Sequence, residues 1–331
     1  MRNRRIFIFG VAAGLLGLVS NSSAQKSEGK IPRVGLIFSS SRPASASPLL
    51  EAFKEELRRL GRVEGQDFAI EIQYAEGKLD RIAGLVNELV RQKVDLIVAN
   101  NNVAILAAKN ATKTIPIVMM TTIDPVAAGY VESLARPGAN VTGIAQLTRD
   151  LSAKRVELLK ELLPRIAQVA ILWDPAGPGP IVAYKAYEAA ARDLKLRLQS
   201  LEVRGPNPDL NAVFKAAKEG RADAIVVVTN PLVSHHRSRI VELASAQGLP
   251  AMYEDSGYVS EGGLISYGAN SIDTFRRAAN YVDRILKGAK PSTLPIEQPT
   301  QFELAINLRS AKAIGLKIPQ SVMLRADRVI E

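Results

Sequence analysis

The sequence contains no cysteine. Disulfides, thiolate zinc sites, cysteine nucleophiles and iron–sulfur clusters are therefore excluded, and so is a lipid anchor carried on an N-terminal cysteine. Histidine is nearly absent: His235 and His236 are the only two. As neighbours on an expected first helical turn they diverge and do not converge on a metal. Aromatic residues make up 5% of the chain, with a single tryptophan. A nucleic-acid-binding face would show a basic stripe interleaved with aromatics. Here bases are mixed with acids, as in Glu55-Glu56-Leu57-Arg58-Arg59, so the formal charge of +10 reads as solvated surface. No nucleic-acid partner is expected. Also missing are the Gly-rich dinucleotide fingerprint after the first strand (the chain has Phe38-Ser39-Ser40-Ser41-Arg42-Pro43), the phosphate-binding loop and the nucleophile elbow. The expectation is a protein that is not an enzyme, with no catalytic residue, no cofactor and no metal site.

What is present begins with a targeting signal. Arg2, Arg4 and Arg5 precede any acid, residues 6–19 are apolar or glycine, and Ser22-Ser23-Ala24 follows. This is the pattern of a secretory signal peptide over residues 1–24, cleaved after Ala24. The apolar run is shorter than the roughly 20 residues a spanning helix needs. Export to the periplasm is expected, with no stable membrane insertion after cleavage.

At 331 residues and 47% hydrophobic content, the chain has room for two domains of roughly 100–200 residues each. Short β-branched runs alternate with amphipathic stretches, which predicts βαβ units and a mainly parallel sheet. Strands are expected over 34–38, 68–74, 96–99, 117–120 and 141–144, with helices between them, including a short one near 126–134. The cycle restarts with a helix over 152–163 and strands over 169–173, 196–203, 224–228 and 250–253. A helix is expected over 231–247. A strand over 264–267, a helix over 271–287, a strand over 302–306 and a short helix through Ala313 close the chain. Two doubly wound α/β halves follow one another. The trailing elements suggest that the chain crosses between them three times, near 145, 261 and 293. The expected lobes are 31–145 plus 262–292, and 146–261 plus 293–331.

Ligands of open α/β sheets bind beyond the carboxyl ends of the strands, so candidate contacts are the polar residues at those tips. Ser40 and Ser41 follow the first strand, where hydroxyls and free N–H groups can hold a carboxylate. Asn101 and Asn102 follow the third and can contact a ligand or cap the next helix. Thr121, Thr122 and Asp124 follow the fourth; Asp124 can pair with an ammonium or cap. Trp173 and Asp174 end the first strand of the second half. The Trp173 ring can stack on an aromatic ligand or belong to the core. Asn230, Tyr253 and Asp255 complete the set, while Tyr258 and Glu261 are expected at a crossing.

Several separated motifs resemble one family. They are Thr121-Thr122-Ile123-Asp124-Pro125-Val126; Leu134-Ala135-Arg136-Pro137-Gly138-Ala139-Asn140-Val141-Thr142-Gly143; the YVDRILKG run over 281–288; Leu294-Pro295-Ile296-Glu297; Asn307-Leu308-Arg309-Ser310-Ala311-Lys312; and Ala326-Asp327-Arg328-Val329-Ile330. Over nearly all of 31–331 the chain is similar to the ABC-transporter substrate-binding proteins that include tryptophan- and tyrosine-binding members. The resemblance implies a type I periplasmic-binding-protein fold, α/β, with two Rossmann-like lobes, a ligand cleft between them and three crossover strands. It also implies a small-molecule ligand, with an aromatic amino acid or a related aromatic or carboxylate compound favoured, and as partners an ABC permease and its ATPase. A monomer is expected. One departure is Asn230 in Thr229-Asn230-Pro231, where many relatives carry an acid; a ligand ammonium would lose a counter-charge there. The alternative reading is a periplasmic sensory module that presents its ligand state to a membrane receptor.

Overall fold

A computed structural model describes residues 30–43, 47–146, 151–176, 178–299 and 302–331. The expected signal peptide, 1–24, lies outside the described residues. In the first half, β1 (Arg33–Phe38), β2 (Ala69–Tyr74), β3 (Leu96–Ala99), β4 (Ile117–Thr121) and β5 (Val141–Ala145) form a five-stranded sheet in the order β2-β1-β3-β4-β5. All its pairings are parallel. Helices α1 (Pro48–Arg59), α2 (Ile82–Arg91) and α3 (Asn102–Ala111) carry the connections. A parallel sheet must be covered on both faces, and it is: Leu36, Phe53 and Leu57 pack on one side, Val86, Leu89 and Ile105 on the other. The alternation of side chains along each strand is what divides them.

The second half begins with α4 (Ser152–Leu162). It continues through β6 (Gln168–Trp173), α5 (Pro178–Asp193), β7 (Arg197–Glu202), α6 (Leu210–Glu219), β8 (Ala224–Val227), α7 (Pro231–His235), α8 (Arg237–Ala246), β9 (Ala251–Tyr253), α9 (Ser256–Ser260) and β10 (Ile265–Ala269). Then come α10 (Ser271–Leu286), β11 (Phe302–Asn307), α11 (Leu308–Ala313), α12 (Gln320–Met323) and β12 (Arg328–Ile330). The second sheet has seven strands in the order β12-β11-β10-β9-β8-β6-β7. Among the described residues, only the β10–β11 pairing of this sheet is antiparallel.

Three details depart from the sequence expectations. First, no helix forms over 126–134. Asp124 Oδ1 caps the N–H groups of Val126 and Ala127, but Gly129 at φ +68° ends the turn at once. Second, the helix expected over 231–247 is two helices, α7 and α8, meeting at His236. Third, β10 joins the second sheet, paired with β9 and β11, although 262–292 was expected in the first lobe. The crossing comes after it, at Asn270. Helix α10 then returns to the first lobe, where Arg62 Nε donates to Asp283 Oδ1 at 2.8 Å and Asn280 Nδ2 donates to Glu56 Oε1 at 2.8 Å. The chain stays there past 293: Thr142 Oγ1 donates to the Leu294 carbonyl at 2.7 Å and Glu297 bridges to Ile144. It enters the second sheet again only at β11. No helix among the described residues is long and apolar enough to cross a membrane.

Candidate functional site

Strand order reverses between β1 and β3 in the first sheet and between β6 and β8 in the second. Such reversals splay the connecting loops apart beyond the carboxyl ends of the strands and open a crevice. Both crevices contribute to one cleft of about 880 Å³. The loops after β1 and β3 supply Ser39, Ser40, Ser41, Asn100, Asn101 and Asn102; those after β6 and β8 supply Asp174, Thr229 and Asn230.

The two walls differ in chemistry. Among the described residues, the first-lobe wall carries hydroxyls, amides and aromatic rings, and no charged side chain lines the cleft from it. Phe38 and Tyr74 are register partners at the ends of β1 and β2, with stacked rings 5.5 Å apart. Phe275, from α10, stacks on Phe38 at 5.9 Å. The charged residues of the lining, Asp174, Arg237, Glu254, Asp255, Glu261 and Arg328, all come from the second lobe.

Glu254 lies at the centre of a buried network. Its Oε1 accepts from Arg155 Nη1 at 3.0 Å and from the Tyr187 hydroxyl at 2.8 Å. Its Oε2 accepts from the Thr229 N–H at 2.8 Å. Arg155 Nε also donates to the Tyr267 carbonyl at 2.7 Å. Burial pushes the Tyr187 hydroxyl far above its ordinary range, so it is a neutral donor. Burial opposes the charge of Arg155, but Tyr187 and Glu254 together hold the guanidinium protonated.

At the cleft rim the lobes touch. The turn after β2 brings Gly77, at φ +73°, against the ring of His235 at the end of α7. Beside α7, the Arg237 guanidinium lies 5.7 Å from the centroid of the Tyr258 ring, and its Nε donates to Glu261 Oε1 at 2.7 Å.

Of the residues expected from the sequence, Ser40, Ser41, Asn101, Asn102, Thr122, Asp174, Asn230 and Asp255 line the cleft. Asn101 also caps α3 through the Ala104 N–H, and Asn230 caps α7 through the Val233 N–H. Asp255 caps α9 through Gly257 N and accepts from the Ser271 hydroxyl. Four expected residues do not line it. Trp173 points to the same sheet face as Val169 and Ile171 by strand alternation. Its ring stacks on Tyr184 at 4.4 Å and its Nε1 donates to Ser200 Oγ at 2.9 Å. Tyr253 stacks on Tyr258 at 4.6 Å within the core. Thr121 is buried and donates to Asn102 Oδ1 at 2.7 Å, so it fixes a lining residue. Asp124 spends its carboxylate on capping.

The sequence reading missed Phe38, Tyr74 and Phe275. Their signal was present in part: Phe38 and Tyr74 are the last residues of expected strands. It also missed Glu254, one residue past a strand end, and placed Tyr258 and Glu261 at a crossing, whereas both line the cleft.

The chain is 25% identical over 268 residues to the tyrosine-binding protein of Clostridioides difficile (strain R20291), covering 81% of this chain and 76% of that one. A conserved domain protein from Vibrio cholerae superposes with a TM-score of 0.81 at 26% identity, over 91% of this chain and all of that one. An ABC domain in complex with L-Trp from Streptococcus pneumonia superposes with a TM-score of 0.78 at 25% identity, over 90% of this chain and 100% of that one. These neighbours share the type I periplasmic-binding-protein fold, with its two lobes. A sequence model of the family described as ABC transporter substrate binding protein matches residues 34–330, and the chain belongs to that family.

Proposed function

We propose that the protein is the periplasmic solute receptor of an ABC importer and that its solute is an aromatic amino acid or a related aromatic carboxylate. Its family binds small molecules, works with a transporter outside the cytoplasm and is not an enzyme family. The observation that carries the ligand class is the first-lobe wall, where Phe38, Tyr74 and Phe275 stand beside Ser39–Ser41 and Asn100–Asn102. Stacked rings offer a face for a flat apolar group. Hydroxyls, amides and the free N–H groups that open α3 suit a carboxylate. The names of two relatives, which mention tyrosine and L-Trp, support the same class.

In this reading the ligand enters between the lobes and contacts both. It favours the closed arrangement by binding it more tightly than the open one. The monomeric receptor, freed of residues 1–24, then presents the closed form to a permease and its ATPase. Titration calorimetry with L-tryptophan and L-tyrosine tests the proposal. Dissociation constants near ~1 μM, about −8 kcal/mol, are expected for at least one. Binding of sugars or polyamines in preference to any aromatic compound would overturn the ligand class.

A further inference from the structure

Among the described residues, buried carboxylates have cationic partners with one exception, and the exception faces the cleft. Glu56 pairs with Arg59, Asp283 with Arg62 and Lys287, and Glu254 with Arg155. Asp174 is as buried as these, at 4% exposure, yet among the described residues it makes no ion pair. Its hydrogen bonds come from neutral donors: Ala176 N–H to Oδ1 at 2.9 Å and Asn230 Nδ2 to Oδ2 at 2.8 Å. A buried charge is costly unless an opposite charge meets it. Asp174 lines the cleft, so the missing partner can arrive with a ligand.

The surroundings fit that role. Asn230 orients the carboxylate through its Nδ2, while its own Oδ1 is taken by the Val233 N–H. Next to it, Thr229 Oγ1 is a buried hydroxyl oxygen without a hydrogen-bond partner. Of the other charges of this wall, Arg328 is exposed at the C-terminal strand, and the remaining four are engaged, Glu254 by Arg155. Arg237 is held by Glu261, and both carboxylate oxygens of Asp255 accept from Gly257 N and the Ser271 hydroxyl.

We propose that Asp174 is the counter-charge for a cationic amine of the ligand, so that the site selects amine-bearing solutes over their des-amino counterparts. This deepens the reading of the cleft as the solute site and rests on it. A competing role, closing the turn before α5, needs only an acceptor for the Ala176 N–H. Asparagine would supply that acceptor equally well but would remove the charge.

The test is titration calorimetry on matched pairs: L-tryptophan and indole-3-propionate, L-tyrosine and 3-(4-hydroxyphenyl)propionate, L-leucine and 4-methylpentanoate. The unaltered protein is expected to prefer the amine-bearing member by on the order of 100-fold. Asp174→Asn should narrow that gap to less than about tenfold. Moving the charge to its hydrogen-bond partner, with Asp174→Asn and Asn230→Asp together, should restore most of the preference. Thermal melts of both variants report whether they fold. Equal affinity for the two members of a pair would overturn the proposal. So would an unchanged gap in Asp174→Asn, or no binding of any amine-bearing compound. If L-leucine is selected through Asp174 while the aromatic compounds fail, the aromatic ligand class falls and the role of Asp174 stands. If the aromatic acids bind regardless of the amine, the ligand class stands and the role of Asp174 falls.

Discussion

His235 lays its imidazole ring against the backbone of Gly77, one residue from each lobe meeting at the rim of the cleft. A Cβ added at Gly77 would lie 2.6 Å from Cγ and Nδ1 of that ring, well inside any tolerable contact. The approach depends on glycine twice over, because Gly77 also holds φ +73°. Gly77 follows β2, which lies at the opposite edge of the first sheet from β5.

Gly77→Ala is therefore expected to hold the lobes apart and weaken ligand affinity by about tenfold. The positive φ adds a local strain of about 1–2 kcal/mol, which the same substitution carries in any background. Adding His235→Ala should clear the collision and recover most of the affinity. Calorimetry on the two variants separates the causes: a double variant no better than the single one would show that strain, not the ring, is responsible.

The same contact predicts a pH dependence. Burial, and then the neighbouring His236, lower the pKa of His235 from its ordinary 6.5, while Glu76 opposes the shift. The closed rim thus binds fewer protons than the open one. Its stability is complete above the ordinary pKa and is lost as the pH falls through the lowered value. Affinity should decline between about pH 7 and about pH 5, and His235→Ala should flatten the profile. An identical decline in that variant would assign the effect to another group.

Arg155 and Glu254 anchor the floor of the cleft from inside the second lobe. Arg155→Ala leaves the Glu254 carboxylate buried without its cation and should cost about 3–5 kcal/mol of folding free energy. Urea denaturation followed by circular dichroism measures it. A loss below about 1 kcal/mol would mean that water replaces the arginine freely.

Trp173, the single tryptophan, should behave as a core residue. Trp173→Phe keeps the stack on Tyr184 and loses the hydrogen bond to Ser200. It should lower stability by about 1–2 kcal/mol and leave ligand affinity within about twofold. Phe275→Ala removes one ring of the first-lobe wall and should weaken aromatic ligands by on the order of tenfold. If Trp173→Phe is the more damaging to binding, the aromatic wall has been put in the wrong lobe.

The strands and most helices were legible because apolar period and punctuation mark them directly. The strand tips were legible too: eight of the expected polar residues line the cleft. What periodicity does not show is which way a terminal side chain turns. Trp173 and Asp174 are adjacent, yet one enters the core and the other the cleft, because side chains alternate along a strand. The assignment of β10 was hidden for another reason. Nothing local distinguishes a strand that pairs with β9 and β11 from one that pairs in the first sheet; that depends on contacts distant in sequence. The aromatic wall arises from the same kind of contact, since Phe275 stacks on Phe38 from far along the chain.

The most direct measurement of the central claim, that this cleft receives a small solute, is a thermal-shift titration of the chain from residue 25 onward with L-tryptophan and L-tyrosine. At a ligand concentration of 100 times the dissociation constant, binding to the folded state alone contributes about 2.7 kcal/mol. For a chain of this length that raises Tm by about 4 °C. A concentration-dependent rise of that size, abolished by Asp174→Asn together with Phe275→Ala, is the predicted result. A rise that persists in the double variant would place the ligand elsewhere and contradict the account.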